Sequence, residues 1–408
     1  MLVVGAGPAG AAAAVTAASR GLDVLVIDRA AFPRDKICGD GLTTGALRLL
    51  ERLGLRPSDV GSWTVAEDCW IRSPDGRTTR FSLPRGRGQY VAVATRRDLD
   101  AALVALARRA GAQVLDGHAL VEATEHDDHV HAVVEHLGDV RARWVVGADG
   151  MWSPLRRQLG VAVDGYRGEW HAFRQYVSGV GPIAAKDLYV SFDADIVPGY
   201  FWSFPLGGGR ANIGFGIQRG GRHTTRDMKQ LWPDLLERPH VRALLGPDAR
   251  ADEPHRAWPI PARVDGVPAT TRRTLFVGDA VAACDVMTGE GIGQALATGI
   301  DAADSLLAAG PSGDAAAVYE RALHRELVAD HRMSSLLVRG LSTPTGAARA
   351  VRIAATNDWT RRNFTRWLFE DYPRALVATP RRWAAGVTTR PGAYADVEAA
   401  SPTAAGAA

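Results

Sequence analysis

The sequence predicts an α/β protein: a Rossmann-type nucleotide-binding domain of parallel strands, an inserted antiparallel β-sheet substrate domain, and a C-terminal helical region. Three observations carry that prediction. Gly5-Ala6-Gly7-Pro8-Ala9-Gly10 follows the apolar run Leu2-Val3-Val4 and opens an Ala-rich helical stretch to about Ser19. A second Gly-Asp pair, Gly278-Asp279, ends the apolar run Thr274–Val277 and precedes Gly289-Glu290-Gly291-Ile292. Between them, from about Val161 to Pro261, the hydrophobic period shortens to that of strands.

In chain order, Met1 to about Leu55 reads as strand, helix, strand, Gly-rich loop, helix, with Asp28 closing the apolar run Val24–Ile27. The first strand opens at Met1 itself, shorter than is usual for such a unit. From Trp63 to Tyr90 come short strands around turns such as Ser73-Pro74-Asp75-Gly76. Arg96-Arg97-Asp98-Leu99-Asp100 begins a helix with Leu99, Leu103 and Leu106 in apolar spacing, ending before Gly111. Gln113 to Val145 predicts a strand and a polar hairpin, and Trp144–Gly150 a buried strand running into a loop. Ala172–Val177, Leu188–Phe192, Tyr200–Pro205 and Ala211–Ile217 are the strands of the inserted sheet. Gly291-Ile292 starts a helix to about Ala309, and the pattern stays helical from about Ala315. The division that follows gives 1–62, 91–160 and 265–330 to the nucleotide-binding domain, 63–90 and 161–264 to the sheet, and 331–398 to the helical region. Residues 399–408 are expected to form a disordered tail.

Bulk properties narrow the function classes. A net charge of +3 in 408 residues is too small to argue for nucleic acid. The basicity is almost wholly arginine, since the only lysines are Lys36, Lys186 and Lys229. Three cysteines, Cys38, Cys69 and Cys284, make no disulfide framework and suit a reducing cytoplasm. No apolar run approaches the ~20 residues of a spanning helix, so the expected location is cytoplasmic, with peripheral contact at the inner membrane face as a further expectation.

The glycine loop and Asp28 have the physics of a βαβ dinucleotide site. Gly5, Gly7 and Gly10 admit close backbone approach, the helix start faces a pyrophosphate, and Asp28 accepts from a ribose hydroxyl. Alone this fits NAD or FAD equally. The distant Gly278-Asp279 favours FAD, whose longer ribityl chain needs a second polar clamp. Backbone N–H groups at Gly291 and Ile292 can then stabilise negative charge at a reduced flavin.

With these segments placed, the chain resembles the geranylgeranyl reductase family, within the FAD-dependent fold shared with p-hydroxybenzoate-hydroxylase-like monooxygenases. The residues that carry the resemblance span 5 to 292. They are the Gly5–Gly10 loop with Asp28, Phe32-Pro33-Arg34-Asp35-Lys36-Ile37-Cys38-Gly39-Asp40-Gly41, Arg96 with Leu99 and Asp100, Gly147–Gly150, Tyr200–Pro205, and Gly278–Ile292. Lys-x-Cys-Gly-Asp-Gly and Tyr-x-Trp-x-Phe-Pro are the specific motifs. The resemblance implies FAD contacts at Ala9, Asp28, Arg34, Gly39, Asp40, Arg96, Leu120, Asp149, Gly278, Asp279, Gly291 and Ile292. It implies that Cys38, the one catalytic candidate, lies near the isoalloxazine, and that Tyr200, Trp202 and Phe204 shape an apolar substrate channel. NAD(P)H or a small electron carrier would supply reducing equivalents, and the substrate would be a polyprenyl lipid or quinone. Two departures stand out: Val281-Ala282 replaces a usual Ala-Gly, and Val286-Met287 a usual Pro-Leu.

Plainer readings stand beside these. Alternating aromatics such as Tyr200, Trp202 and Phe204 usually mean core packing, and Cys38 also reads as an inert buried thiol. For the proton that an alkene reduction needs, Cys38 and a bound water are both open. His126, His129 and His131 read as a surface hairpin rather than a metal site, and Arg85-Gly86-Arg87-Gly88 as a solvated loop rather than a diphosphate grip. Trp359 to Pro373, with aromatics among arginines, reads equally as a membrane-surface segment or a capping helix. The rival functions are an FAD-dependent monooxygenase, which would share every FAD motif, and a flavoprotein that only carries electrons or binds flavin without catalysis. Tyr200–Pro205 does not reproduce the Trp-x-Trp-x-Ile-Pro signature of flavin halogenases.

Overall fold

The computed structural model describes residues 1–310, 313–383, 386–387 and 389–396. The expected tail, 399–408, lies outside them. A five-stranded parallel sheet runs in the order Thr274–Phe276, Val145–Gly147, Leu2–Val4, Leu25–Asp28, Gln113–Asp116. Leu2–Val4, from the N-terminus, is its central strand and every residue of it is buried. The Pro8–Ala18 helix lies between this sheet and the Ile292–Ala309 helix, which explains its alanines: both sides are buried, and small side chains keep the layers close. Gly299 of the second helix faces the Ala9 carbonyl so closely that a Cβ there would overlap it.

The larger sheet draws its strands from two separate parts of the chain. Trp170–Ser178, Arg210–Gln218, Tyr200–Gly207 and Leu188–Ser191 pair antiparallel, and the early strands Asp68–Arg72 and Thr78–Ser82 extend the same sheet. Asp68–Arg72 pairs parallel with Leu188–Ser191, so the sheet is mixed rather than wholly antiparallel as expected. The two strands come from distant parts of the chain, and no hairpin dictates their direction. The expected hairpin after Gln113 is a three-stranded meander, Leu120–Glu125, Val130–Val134 and Gly138–Ala142. Three helices, Pro182–Lys186, Met228–Leu236 and Pro239–Leu245, also interrupt the strand-rich region; Met228, Trp232 and Leu235 at helical spacing pack against the back of the sheet.

The C-terminal helices Ala329–Leu341, Pro344–Ala354 and Asp358–Leu368 fold back over the space between the two sheets. Phe364 packs on Phe81 with ring centroids 5.5 Å apart, tying the last helix to the inserted sheet. No helix among the described residues is long and apolar enough to cross a membrane.

Candidate functional site

One cavity of about 1330 Å³ runs from the glycine loop, along the inserted sheet, to the underside of the C-terminal helices. Of the expected site residues, Gly5, Gly7, Ala9, Asp28, Arg34, Cys38, Gly39, Asp40, Arg96, Leu120, Asp149, Gly278, Asp279, Gly291, Ile292, Tyr200, Trp202 and Phe204 all line it. Gly10 does not. A Cβ at Gly10 would overlap the Gly5 carbonyl, so this glycine serves helix-to-strand packing.

The nucleotide end is built around the start of the Pro8–Ala18 helix. Gly5 has φ +102°, in the region that favours glycine. Gly7 caps the helix without a side-chain partner, leaving the first N–H groups open to a ligand. Beside it stand Arg34 and Arg96, whose nearest guanidinium nitrogens lie 3.6 and 3.9 Å from a Cβ placed on Gly7. Both arginines lean on the fully buried Asp100: Arg96 through Nε and Nη2, each 2.8 Å, and Arg34 Nη1 at 2.9 Å. Two cations on one carboxylate leave a net positive charge at a helix N-terminus, the arrangement a diphosphate requires.

The acidic candidates differ in what occupies them. Asp28 already accepts Ala6 N–H (2.7 Å) and Ala30 N–H (2.8 Å), so it braces the loop as well as facing the cavity. Asp40, fully buried at φ +64°, accepts from Tyr176 Oη (2.7 Å), Asn212 Nδ2 (2.9 Å) and Arg96 N–H (3.2 Å). Its carboxylate ties the Cys38–Gly41 loop to the inserted sheet; burial pushes its pKa up to about 6 against those hydrogen bonds. Asp279 receives only the Cys284 thiol, at 3.4 Å, and Asp149 Oδ1 is buried without a partner. Those two acceptors have capacity left for a bound group.

Tyr200, Trp202 and Phe204 do share one strand face, and that face looks into the cavity. The Trp202 indole lies across Gly214, where a Cβ would overlap it, and donates to Asn212 Oδ1 at 3.1 Å. Asn212 in turn donates to the Cys38 carbonyl at 2.8 Å. On the opposite side, Phe204 sits 3.2 Å from a Cβ placed on Gly41 and 3.4 Å from one on Gly39. The aromatic row therefore packs directly on the Cys38-Gly39-Asp40-Gly41 loop. Core packing and channel lining are one arrangement here, because the row is the wall between them.

Burial pushes the Cys38 thiol up to about 11, so the thiol rather than the thiolate prevails at neutral pH. Lys36 sits 3.2 Å over the Trp258 ring, and burial brings its ammonium down to about 8. Sequence reasoning did not single out Asn212, Tyr176, Cys284, Glu290 or Glu370 as site residues. Cys284 and Glu290 lie inside the Gly278–Ile292 segment; Asn212, Tyr176 and Glu370 become visible only once the chain is folded. Among the described residues there is no metal-type cluster of His, Cys, Asp and Glu. His131 pairs with Asp139 on the exposed meander, and Arg85 pairs with Asp68, away from the cavity.

Comparison with known proteins settles what family this geometry belongs to. The FAD-binding domain family matches residues 1–317. A menaquinone reductase of Mycobacterium tuberculosis is 36% identical over 341 residues, covering 75% of this chain and 76% of its own length. The chain belongs to the geranylgeranyl reductase family of FAD-dependent oxidoreductases. A digeranylgeranylglycerophospholipid reductase of Methanopyrus kandleri is 35% identical over 320 residues, 73% of this chain and 74% of its own. The crystal structure of a geranylgeranyl bacteriochlorophyll reductase-like protein from Thermoplasma acidophilum shares the fold, with TM-score 0.77, 23% identity, and coverage of 94% and 98% of the two chains. FAD is thus the cofactor, and the open helix start, the arginine pair, the unpartnered Oδ1 of Asp149 (its Oδ2 accepts Leu155 N–H at 2.9 Å) and the lightly occupied Asp279 suit its diphosphate and ribityl groups.

Proposed function

We propose that this protein reduces C=C bonds of a polyprenyl chain carried by a lipid or quinone. The observation that carries the reading is the continuity of the cavity: the aromatic row Tyr200, Trp202, Phe204 opens into the same space as the nucleotide cradle. Gly5, Gly7, Arg34 and Arg96 hold the diphosphate, Asp28 the ribose, and Asp149 and Asp279 the ribityl side. Bound FAD supplies the hydride. The aromatic row and the loop at Cys38 orient the chain and keep water from the reacting carbons. The parallel-sheet segments act as the cofactor domain and the inserted sheet as the substrate domain. NAD(P)H or a small electron carrier restores the reduced cofactor. Comparison of lipids and quinones from cells with and without this protein tests the reading: a gain of two hydrogens supports it, and unchanged masses contradict it.

The same reading places the cavity's far end against a membrane. Ile353 is 70% exposed and Trp359 65%, both at the cavity lining, with Val377 84% exposed nearby. Arg349, Arg352, Arg361 and Arg362 stand among them on the same helices. Apolar tips ringed by arginine suit an anionic lipid surface from which a prenyl chain enters sideways. Co-flotation with phosphatidylglycerol vesicles should be lost when Ile353 and Trp359 are both changed to Glu; retained binding contradicts this placement.

A further inference from the structure

Reduction of an alkene needs a proton as well as a hydride, and the protonated Cys38 thiol is a weak acid. A second set of groups faces the cavity at the start of the Ile292–Ala309 helix. Glu290 lines the cavity there, and its Oε1 accepts the Gly293 N–H at 2.7 Å. The Tyr200 hydroxyl donates to the Thr288 carbonyl, so the aromatic row closes directly on this turn. Glu370 reaches the same helix from the C-terminal region. Its backbone sits at φ +55°, the left-handed region that a non-glycine residue rarely adopts. That strained turn brings Glu370 Oε1 within 2.8 Å of Gln294 Nε2 and 3.5 Å of Arg374 Nη2.

Charge counting decides how many protons the cluster holds. Asp285, Glu290 and Glu370 face one cation, Arg374, whose side chain is 2% exposed. Asp285 accepts from Met287 N–H (3.0 Å), Thr288 N–H (2.7 Å), Thr288 Oγ1 (2.8 Å) and Ser334 Oγ (2.6 Å). Against its burial, Arg374 and these donors hold Asp285 below the usual carboxylate range, so it is the ionised member. Arg374 is thus shared by Asp285 and Glu370, and among the described residues Glu290 makes no ion pair, so one cation stands against three carboxyls. Burial pushes both Glu290 and Glu370 upward; the ionised Asp285 adds to the rise of each, and Glu290 adds to that of Glu370. The remaining neighbours of Glu290 are the Cys38 and Cys284 thiols and the Tyr200 phenol, all kept neutral by burial. The buried Oε1 of Gln294 has no donor, an acceptor left open beside the pair.

We propose that Glu290 is the general acid of the reaction, with Glu370 sharing and replenishing its proton. This rests on the polyprenyl-reductase reading. The alkene π bond breaks as hydride from reduced flavin joins one carbon and the Glu290 proton joins the other. Two C–H bonds form and the flavin is oxidised. The Glu290 carboxylate then regains a proton through Glu370 from solvent, and NAD(P)H or a small electron carrier re-reduces the flavin.

The test pairs infrared spectroscopy with half-reaction kinetics on the FAD-loaded protein. Wild type at pH 7 should show a buried neutral-carboxyl band that Glu290→Gln or Glu370→Gln removes or shifts. Glu290→Gln should still be reduced by dithionite at the normal rate. Its anaerobic reoxidation by a prenyl substrate should slow about 10²–10⁴-fold, and Glu370→Gln should move the pH profile of that step. No neutral-carboxyl band in wild type would overturn the proposal, as would full-speed reoxidation of Glu290→Gln with an unchanged pH profile. If Glu290→Gln fails to hold FAD, Glu290→Asp decides: slowed reoxidation supports the assignment, and an unchanged rate overturns it. Wild type that never reduces a prenyl substrate contradicts the functional reading, whereas the infrared band reports the shared proton independently.

Discussion

Asp28 and Asp279 look equivalent as cofactor acceptors, yet their replacement should have different consequences. The two oxygens of Asp28 hold Ala6 N–H at 2.7 Å and Ala30 N–H at 2.8 Å, before any ligand arrives. Asp279 holds only the Cys284 thiol at 3.4 Å. Asp279→Ala therefore costs the apoprotein little but removes an unspent charged acceptor, worth about 1.5–3 kcal/mol toward the cofactor. FAD affinity should fall about 10- to 150-fold. Asp28→Ala should lose affinity too, and should also destabilise the apoprotein by roughly 1.5–3 kcal/mol, because two loop N–H groups lose a charged partner. Flavin-fluorescence titration gives the affinities, and calorimetry of the two apoproteins gives the stabilities. Unaltered FAD affinity in Asp279→Ala, or an apo Tm in Asp28→Ala equal to that of wild type, would refute this assignment of roles.

Cys38→Ser should keep FAD and lose less than about tenfold in turnover, since a thiol pushed up to about 11 is a much weaker acid than a carboxyl; a loss as large as that of Glu290→Gln, measured by the same anaerobic reoxidation, would return the donor role to Cys38. Trp202→Ala should raise KM for a long isoprenoid by roughly 1–3 kcal/mol and affect a short prenyl substrate far less. Equal losses for both chain lengths, together with a collapsed Tm, would make Trp202 core alone. Asp40 gives a pH signature: its pKa is raised from 3.8 to about 6 on folding, so its stabilising contribution is complete below pH 4 and is lost as pH rises through 6. The difference in stability between wild type and Asp40→Asn should change by up to about 3 kcal/mol across that window, read by denaturant titration at each pH; a flat difference contradicts the burial of an ionising Asp40.

The nucleotide half of this protein was legible because its determinants are local. The Gly5–Gly10 loop, Asp28 and the helix opening at Ile292 each sit at the end of a short apolar strand, and the ends of parallel strands meet in space. Tyr200, Trp202 and Phe204 were legible as one face, but alternation alone cannot say whether that face meets core or cavity. Gly214 on the neighbouring strand and Gly39 and Gly41 on a distant loop decide it, by leaving room for the rings. Long-range ties left the weakest trace. Asp40 meets Tyr176 and Asn212 across 136 and 172 residues, and Gln294 meets Glu370 across 76, with no periodicity to announce either meeting. The parallel pairing of Asp68–Arg72 with Leu188–Ser191 was hidden for the same reason.

The central claim is that a prenyl chain in the aromatic half of the cavity receives hydride from flavin held in the glycine-and-arginine half. Its most direct test is a single anaerobic turnover: FAD-loaded protein is reduced stoichiometrically, a polyprenyl quinone or lipid is added, and flavin absorbance and product mass are followed together. The account predicts reoxidation of the flavin in step with a product heavier by two hydrogens. Flavin that stays reduced without oxygen, and a product one oxygen heavier once oxygen is admitted, would contradict it.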